Sequence, residues 1–161
     1  MENDELIQAD EWIPILLETL KEGKIAKISP NGYSMYPLLV GGRDDVFLKL
    51  SEDALKVGDV VLYRRKSGKH VLHRIYRIVG TEYYMLGDYQ TEIEGPLERE
   101  QILAVAESFE RKGKKIFCDN KKYKIYVKVW KCIRPLRPIF IKLWRGIRII
   151  MRKQKKEIME E

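Results

Sequence analysis

Between residues 24 and 118 the sequence never holds one pattern for longer than the run 69–79 before a turn signal interrupts it. The runs of β-type residues are 24–28, 46–50, 59–64, 69–79, 82–86, 102–109 and 115–118. Gly41-Gly42, Gly58-Asp59, Ser67-Gly68, Gly80, Gly87-Asp88, Gly95-Pro96 and Gly113 punctuate them. Short strands with glycine-rich connections leave no room for crossover helices, so the pattern predicts a mainly β fold: a compact, mostly antiparallel β domain. Helical periodicity flanks it. Asp10 and Glu11 form a capping signal, Leu16, Leu17 and Leu20 recur at helical spacing, and Gly23 is a stop, which predicts a helix over 11–22 with Pro14 in its first turn or just past it. The expected organisation is an N-terminal helix (1–23), a β domain (24–118) and a basic helical tail (119–161).

Charge divides the chain in the same way. Residues 1–120 carry 17 Lys/Arg against 21 Asp/Glu, whereas residues 121–161 carry 14 against 3, so a mildly acidic body adjoins a strongly basic tail. That split points to a nucleic-acid, membrane-surface or acidic-partner contact by the tail. The two cysteines, Cys118 and Cys132, form no CxxC and have no histidine at zinc-like spacing, which suits reduced thiols in a cytoplasmic protein and implies neither metal nor cofactor. The acidic N-terminus does not read as a secretory segment, and no run supplies the roughly 20 apolar residues of a spanning helix.

Within this charged chain, the fifteen residues 28–42 carry no charge and contain NGYSMYP, with Ser34 at its centre. Alone, a serine flanked by Gly and Pro reads as a turn residue, because its hydroxyl is a poor nucleophile without a base in reach. Only two histidines are available, His70 and His73, both in the run 69–79. Alternation puts His73 on the face of Val71 and Ile75, and His70 on that of Leu72 and Tyr76. A neutral imidazole there suits a general base, or simply fills a half-buried strand position.

The motifs GYSMYP, VGDVVLY, VLHRI and YYMLGD occur in that order. In this the chain resembles the superfamily that unites type I signal peptidases with the self-cleaving repressors of the SOS response, over about residues 24–116. The resemblance implies that Ser34, followed by Met35, is a nucleophile. His73, followed by Arg74, stands where that superfamily has its general base, in the Ser/His spelling of the endoplasmic-reticulum-type enzymes. It further implies a carboxylate near the pair, Asp88 of the Gly-Asp motif, with a second acid about six residues on. Aspartate is usual at that second place; here it is Glu94, with Glu92 nearby. A carboxylate would fix the tautomer of His73. The serine that often precedes the nucleophile by two positions is Gly32 here, so an oxyanion hole would rest on the backbone of Gly32, Tyr33 and Ser34. The activity so implied is a serine endopeptidase acting on a peptide or protein precursor, with small side chains beside the cleaved bond. A catalytically idle peptide-binding or membrane-docking module on the same fold is the alternative.

In the tail, Lys121 to Lys156 holds every basic residue of 121–161 and no acid, interleaved with aromatics. From Pro138 on, Phe140, Leu143, Trp144, Ile147, Ile150 and Met151 fall on one helical face, and Arg145, Arg148, Arg152, Lys155 and Lys156 on the other. Such a helix suits the interface of an anionic membrane at its cytoplasmic side. Docking of Leu143, Ile147 and Ile150 on the chain's own β domain fits the same face. No nucleic-acid-binding motif is present.

Overall fold

The computed structural model describes residues 2–51 and 54–139, with side chains described from Trp12 onward. Trp144, Arg145, Arg148, Arg152, Lys155 and Lys156 therefore lie outside the described residues, as do the apolar positions predicted to share their helix.

The N-terminal helix α1 spans Glu2–Lys21, well beyond the predicted start. The Asp10-Glu11 signal is internal rather than a cap, and Pro14 sits deep inside the helix instead of near its start. Proline there removes one backbone hydrogen bond, a loss of roughly 3 kcal/mol. Tertiary packing offsets it: Ile13, Leu16 and Leu20, on one stripe, are buried in the main core. The stop is as predicted. Gly23 N–H bonds Leu20 O at 3.0 Å and Lys24 N–H bonds Thr19 O at 3.3 Å, closing the last turn.

Eight strands follow: β1 (Ala26–Ile28), β2 (Asp45–Lys49), β3 (Val60–Arg64), β4 (His70–Val79), β5 (Glu82–Leu86), β6 (Glu94–Leu97), β7 (Ile102–Arg111) and β8 (Lys114–Phe117). All their pairings are antiparallel, in the order β1-β2-β7-β3-β4-β5-β6, with β8 added on β7. The seven predicted runs all appear, displaced by at most two residues. The eighth strand, β6, was predicted as a turn because it contains Gly95-Pro96. Proline is tolerated on an edge strand, and β6 is the sheet's last strand. Gly95 lies at φ 145°, and a Cβ there would meet Tyr83 O at 2.8 Å, so the strand approaches β5 only because this residue is glycine.

The sheet is covered on both faces, which is why β3 reads as the unbroken run VVLYR. Val60 and Leu62 join Leu72, Val46, Leu48 and the α1 residues in the main core. Val61 and Tyr63 point the other way, into a smaller cluster with Ile75, Met85, Leu97 and Ile102. The tail's first helix, α2 (Lys121–Cys132), is capped by the Asn120 side chain, which accepts from Lys122 N–H at 2.8 Å. It packs through Tyr123 into the main core, with Tyr126 and Val127 against it. The start of the tail is thus part of the body of the fold.

Candidate active site

Ser34 sits in the uncharged loop between β1 and β2, and that loop is fastened at several points. Met35, Leu38 and Leu39 are buried, as expected for residues that hold the loop to the core. The Asp44 carboxylate accepts Val40 N–H at 2.9 Å. Gly41 N–H bonds Gly32 O at 2.8 Å, and a Cβ on Gly41 would collide with the Gly32 backbone. Gly32 itself has φ 80°, the left-handed conformation its absent side chain permits. From the far side, the turn after β5 grips the nucleophile candidate: Tyr89 N–H bonds Ser34 O at 2.8 Å, and the Tyr36 and Tyr89 rings meet edge to face at 5.6 Å. The Ser34 carbonyl is thereby engaged. Its N–H takes part in none of the loop's backbone hydrogen bonds.

His73 reaches the same place from β4. Ser34 and His73 both line a cleft of about 700 Å³, together with residues 27–32 and 69–72, Trp12, Arg65 and Gln90. No hydrogen bond joins the Ser34 hydroxyl to His73 among the described residues. The ring of His73 is almost fully buried, on the Val71 and Ile75 face as alternation predicts. Its Nδ1 lies 3.0 Å from the Tyr63 hydroxyl, which in turn donates to Glu94 Oε2 at 2.7 Å. Arg65 completes the chain, its Nε and Nη2 each donating to the Glu94 carboxylate at 2.6 Å.

Burial works against the Glu94 charge, but the hydrogen bonds from Arg65 and Tyr63 outweigh it and hold the carboxyl below its usual range. Burial, reinforced by the Glu94 charge, pushes the Tyr63 phenol far up, so it stays protonated. Burial also lowers His73 to about 4, opposed mainly by Glu94. His73 is therefore neutral near pH 7 and holds a lone pair for proton abstraction. Because the unfolded histidine titrates near its ordinary 6.5, the buried neutral form contributes stability that is full above that pH and lost as pH falls towards 4. Thermal melts of the wild type should therefore decline through that window, and His73→Gln should flatten the decline.

Asp88 lies near enough for its charge to favour protonated His73, but its own hydrogen bonds go to another partner. It is buried and bound bidentately by Arg74, Nε to Oδ1 at 2.9 Å and Nη2 to Oδ2 at 2.7 Å, with no hydrogen bond to His73. His73 and Arg74 are consecutive in a strand, so they project to opposite faces, and Asp88 lies on the Arg74 face. Arg74 Nη1 donates further to Gly58 O at 2.7 Å and to the Tyr123 hydroxyl at 2.9 Å, which ties Asp88 to the docked helix α2. Glu94 is the carboxylate connected to His73, through Tyr63. Tyr33, expected in the loop near the oxyanion site, is nearly half exposed at 45%.

No sequence motif marks Tyr63, Arg65 or Arg74 as a site residue. Alternation carried the signal for the first of them. In the hairpin formed by β3 and β4, Val61 pairs with His73 and Tyr63 with Val71, so Tyr63 and His73 share a face two positions apart. Neither the family models nor the curated proteins contain a match to this chain.

Proposed function

We propose that this chain is a serine endopeptidase that cleaves peptide bonds through an acyl-enzyme on Ser34. The observation that carries this reading is that Ser34 and a buried His73, neutral near pH 7, converge on one cleft, with Nδ1 of His73 already engaged and Nε2 left for chemistry. Ser34 Oγ attacks the scissile carbonyl while His73 Nε2 takes its proton. The Ser34 N–H stands ready for the oxyanion, His73 then protonates the leaving amine, and water releases the acyl group by the reverse sequence. Substrate binding closes the Ser34–His73 approach, as catalytic hydrogen bonds commonly tighten only in the complex.

The cleft walls favour an extended peptide. β1 pairs on one side only, with β2, and residues 70–73 of β4 pair only with β3, because β5 joins β4 from Arg74 onward. Two strand edges thus border the cleft, and a peptide laid along either one gains backbone hydrogen bonds. Incubation with a peptide library followed by mass spectrometry tests the reading: cleavage and a covalent acyl adduct on the Ser34 peptide are expected. Wild-type cleavage no greater than that of Ser34→Ala would leave the idle binding module as the better account.

We further propose that the cationic tail holds the enzyme at an anionic membrane surface. Tyr123, Tyr126 and Trp130 of α2 face the protein, whereas Ile125, Val129, Leu136 and Ile139 are each at least half exposed. Exposed Lys121, Lys122, Lys124, Lys128 and Lys131 accompany that second apolar row, the composition of an interfacial helix. No described helix is long and apolar enough to cross a membrane. Co-sedimentation with phosphatidylserine vesicles is expected, with weakening on Val129→Glu and in high salt. Equal recovery with neutral and anionic vesicles would refute the tether.

A further inference from the structure

The single hydrogen of the Tyr63 hydroxyl decides what His73 is able to do. Two neighbours of Tyr63 Oη can accept its hydrogen, Glu94 Oε2 at 2.7 Å and His73 Nδ1 at 3.0 Å, and it can donate to only one. An ionised carboxylate only accepts, and two hydrogen bonds from Arg65 hold Glu94 in its ionised form. The phenol hydrogen therefore goes to Glu94. With its hydrogen committed, Tyr63 Oη is an acceptor towards His73, and Nδ1 must carry a hydrogen to donate to it. Were Nδ1 bare, two lone pairs would face each other at 3.0 Å in a buried site.

We propose that Tyr63, oriented by Glu94, is a positioning residue that fixes His73 in the Nδ1–H tautomer and so leaves the Nε2 lone pair for the proton of Ser34. In the opposite arrangement Tyr63 donates to Nδ1, the imidazole hydrogen moves to Nε2, and no basic nitrogen remains towards the cleft. The fixed arrangement also serves the protonated state. When Nε2 accepts a proton, the imidazolium keeps its Nδ1–H bond to Tyr63, with the Glu94 charge one phenol oxygen away, so no group has to reorient during the step. A carboxylate thus acts on the histidine through a tyrosine. This deepens the peptidase reading and rests on it for its catalytic meaning, but the tautomer itself is a property of the resting protein.

The Glu94→Gln variant is nearly isosteric and makes a directional demand. Arg65 can only donate, so it takes the new amide oxygen, which turns the NH2 group towards Tyr63. Tyr63 then accepts from the amide and donates to Nδ1. Nitrogen-15 NMR of imidazole-labelled protein, with His70→Gln used to assign the two rings, is expected to show the Nδ1–H tautomer of His73 in the wild type and the Nε2–H tautomer in Glu94→Gln. Tyr63→Phe should lose the preference, with His73 a mixture of the two. Peptide cleavage should fall about 10²- to 10⁴-fold in kcat for Glu94→Gln, with KM little changed, the upper end being the loss expected when a base histidine is held fully in the wrong tautomer. An Nε2–H tautomer in the wild type, or one tautomer common to all three proteins, would overturn the proposal. The expected tautomers without any cleavage would uphold the relay and count against the peptidase reading alone.

Discussion

Ser34→Ala is expected to remove peptide cleavage almost completely, with a fall in kcat of about 10³- to 10⁶-fold. His73→Ala should fall by a similar factor, and the double variant should be no worse than either single one. A nucleophile and its base act as one unit: without the serine there is no attack to assist, and without the imidazole the hydroxyl keeps its proton. The two changes should affect the fold differently. Ser34 is only partly buried, and the contact that holds its segment, Tyr89 N–H to Ser34 O, uses the backbone. His73→Ala opens space next to Tyr63 and leaves its hydroxyl oxygen short of a donor, so His73→Gln is the better control for stability. The measurement is turnover of a cleaved library peptide, with circular dichroism confirming that each variant is folded. Equal residual activity in wild type and both variants would place the chemistry elsewhere.

A lower limit on pH accompanies this. Activity that depends on neutral His73 should persist well below the ordinary histidine value and fall only as pH approaches about 4, where the buried ring takes its proton. An acid limb near 6.5 would mean that the titrating base is a solvated imidazole.

How much of this was open to inspection in the sequence depends on what each feature needed. The strands were legible because glycine turns and alternation are local signals. α1 was cut short because Asp10, Glu11 and Pro14 look like a helix start, and only packing of Ile13, Leu16 and Leu20 carries the helix through them. β6 was hidden by Gly95-Pro96, a turn signal that an edge strand accommodates. That omission had a consequence at the site, since β6 begins at Glu94 and its pairing with β5 opposes Glu94 to Met85. Without the strand there was no means of knowing which way the carboxylate pointed. The choice between Asp88 and Glu94 turned on the same kind of information. His73 and Arg74 are neighbours in sequence but serve opposite faces, and assigning a carboxylate to one or the other requires knowing what lies across each face. The motif order pairs Ser34 with His73, and both line one cleft; the motifs assign no role to the tyrosine between His73 and its carboxylate.

The opposite face supplies the second large effect. Arg74→Ala is expected to destabilise the protein by about 3–5 kcal/mol, the usual result of stranding one member of a buried ion pair. Arg74 is 7% exposed and Asp88 1%, so solvent cannot replace the lost hydrogen bonds. Gly58 O and the Tyr123 hydroxyl lose a donor as well. For a domain of this size the deficit corresponds to a melting temperature lower by roughly 10 °C or more. The effect should spread along the contacts that Asp88 organises. Its turn supplies Tyr89 N–H to the Ser34 carbonyl, and Arg137, buried beside it, approaches Gly87 O at 3.5 Å while its guanidinium lies 5.1 Å from the Trp130 ring centroid. Loss of Arg74 therefore loosens both the Ser34 loop and the docking of α2, and amide exchange should rise at Tyr89 and across 121–132 before the rest of the sheet. Asp88→Asn provides the decisive comparison. If Asp88 belongs to the Arg74 pair, this variant lowers stability in urea and leaves the His73 tautomer unchanged, whereas Glu94→Gln reverses the tautomer with a smaller effect on folding, because Glu94 is partly exposed. Joint replacement by Arg74→Met and Asp88→Leu should recover much of the stability lost by Arg74→Ala, since it removes both charges instead of leaving one buried. An Asp88→Asn protein with wild-type stability and an altered His73 tautomer would return Asp88 to the catalytic face and refute the division of labour between the two carboxylates.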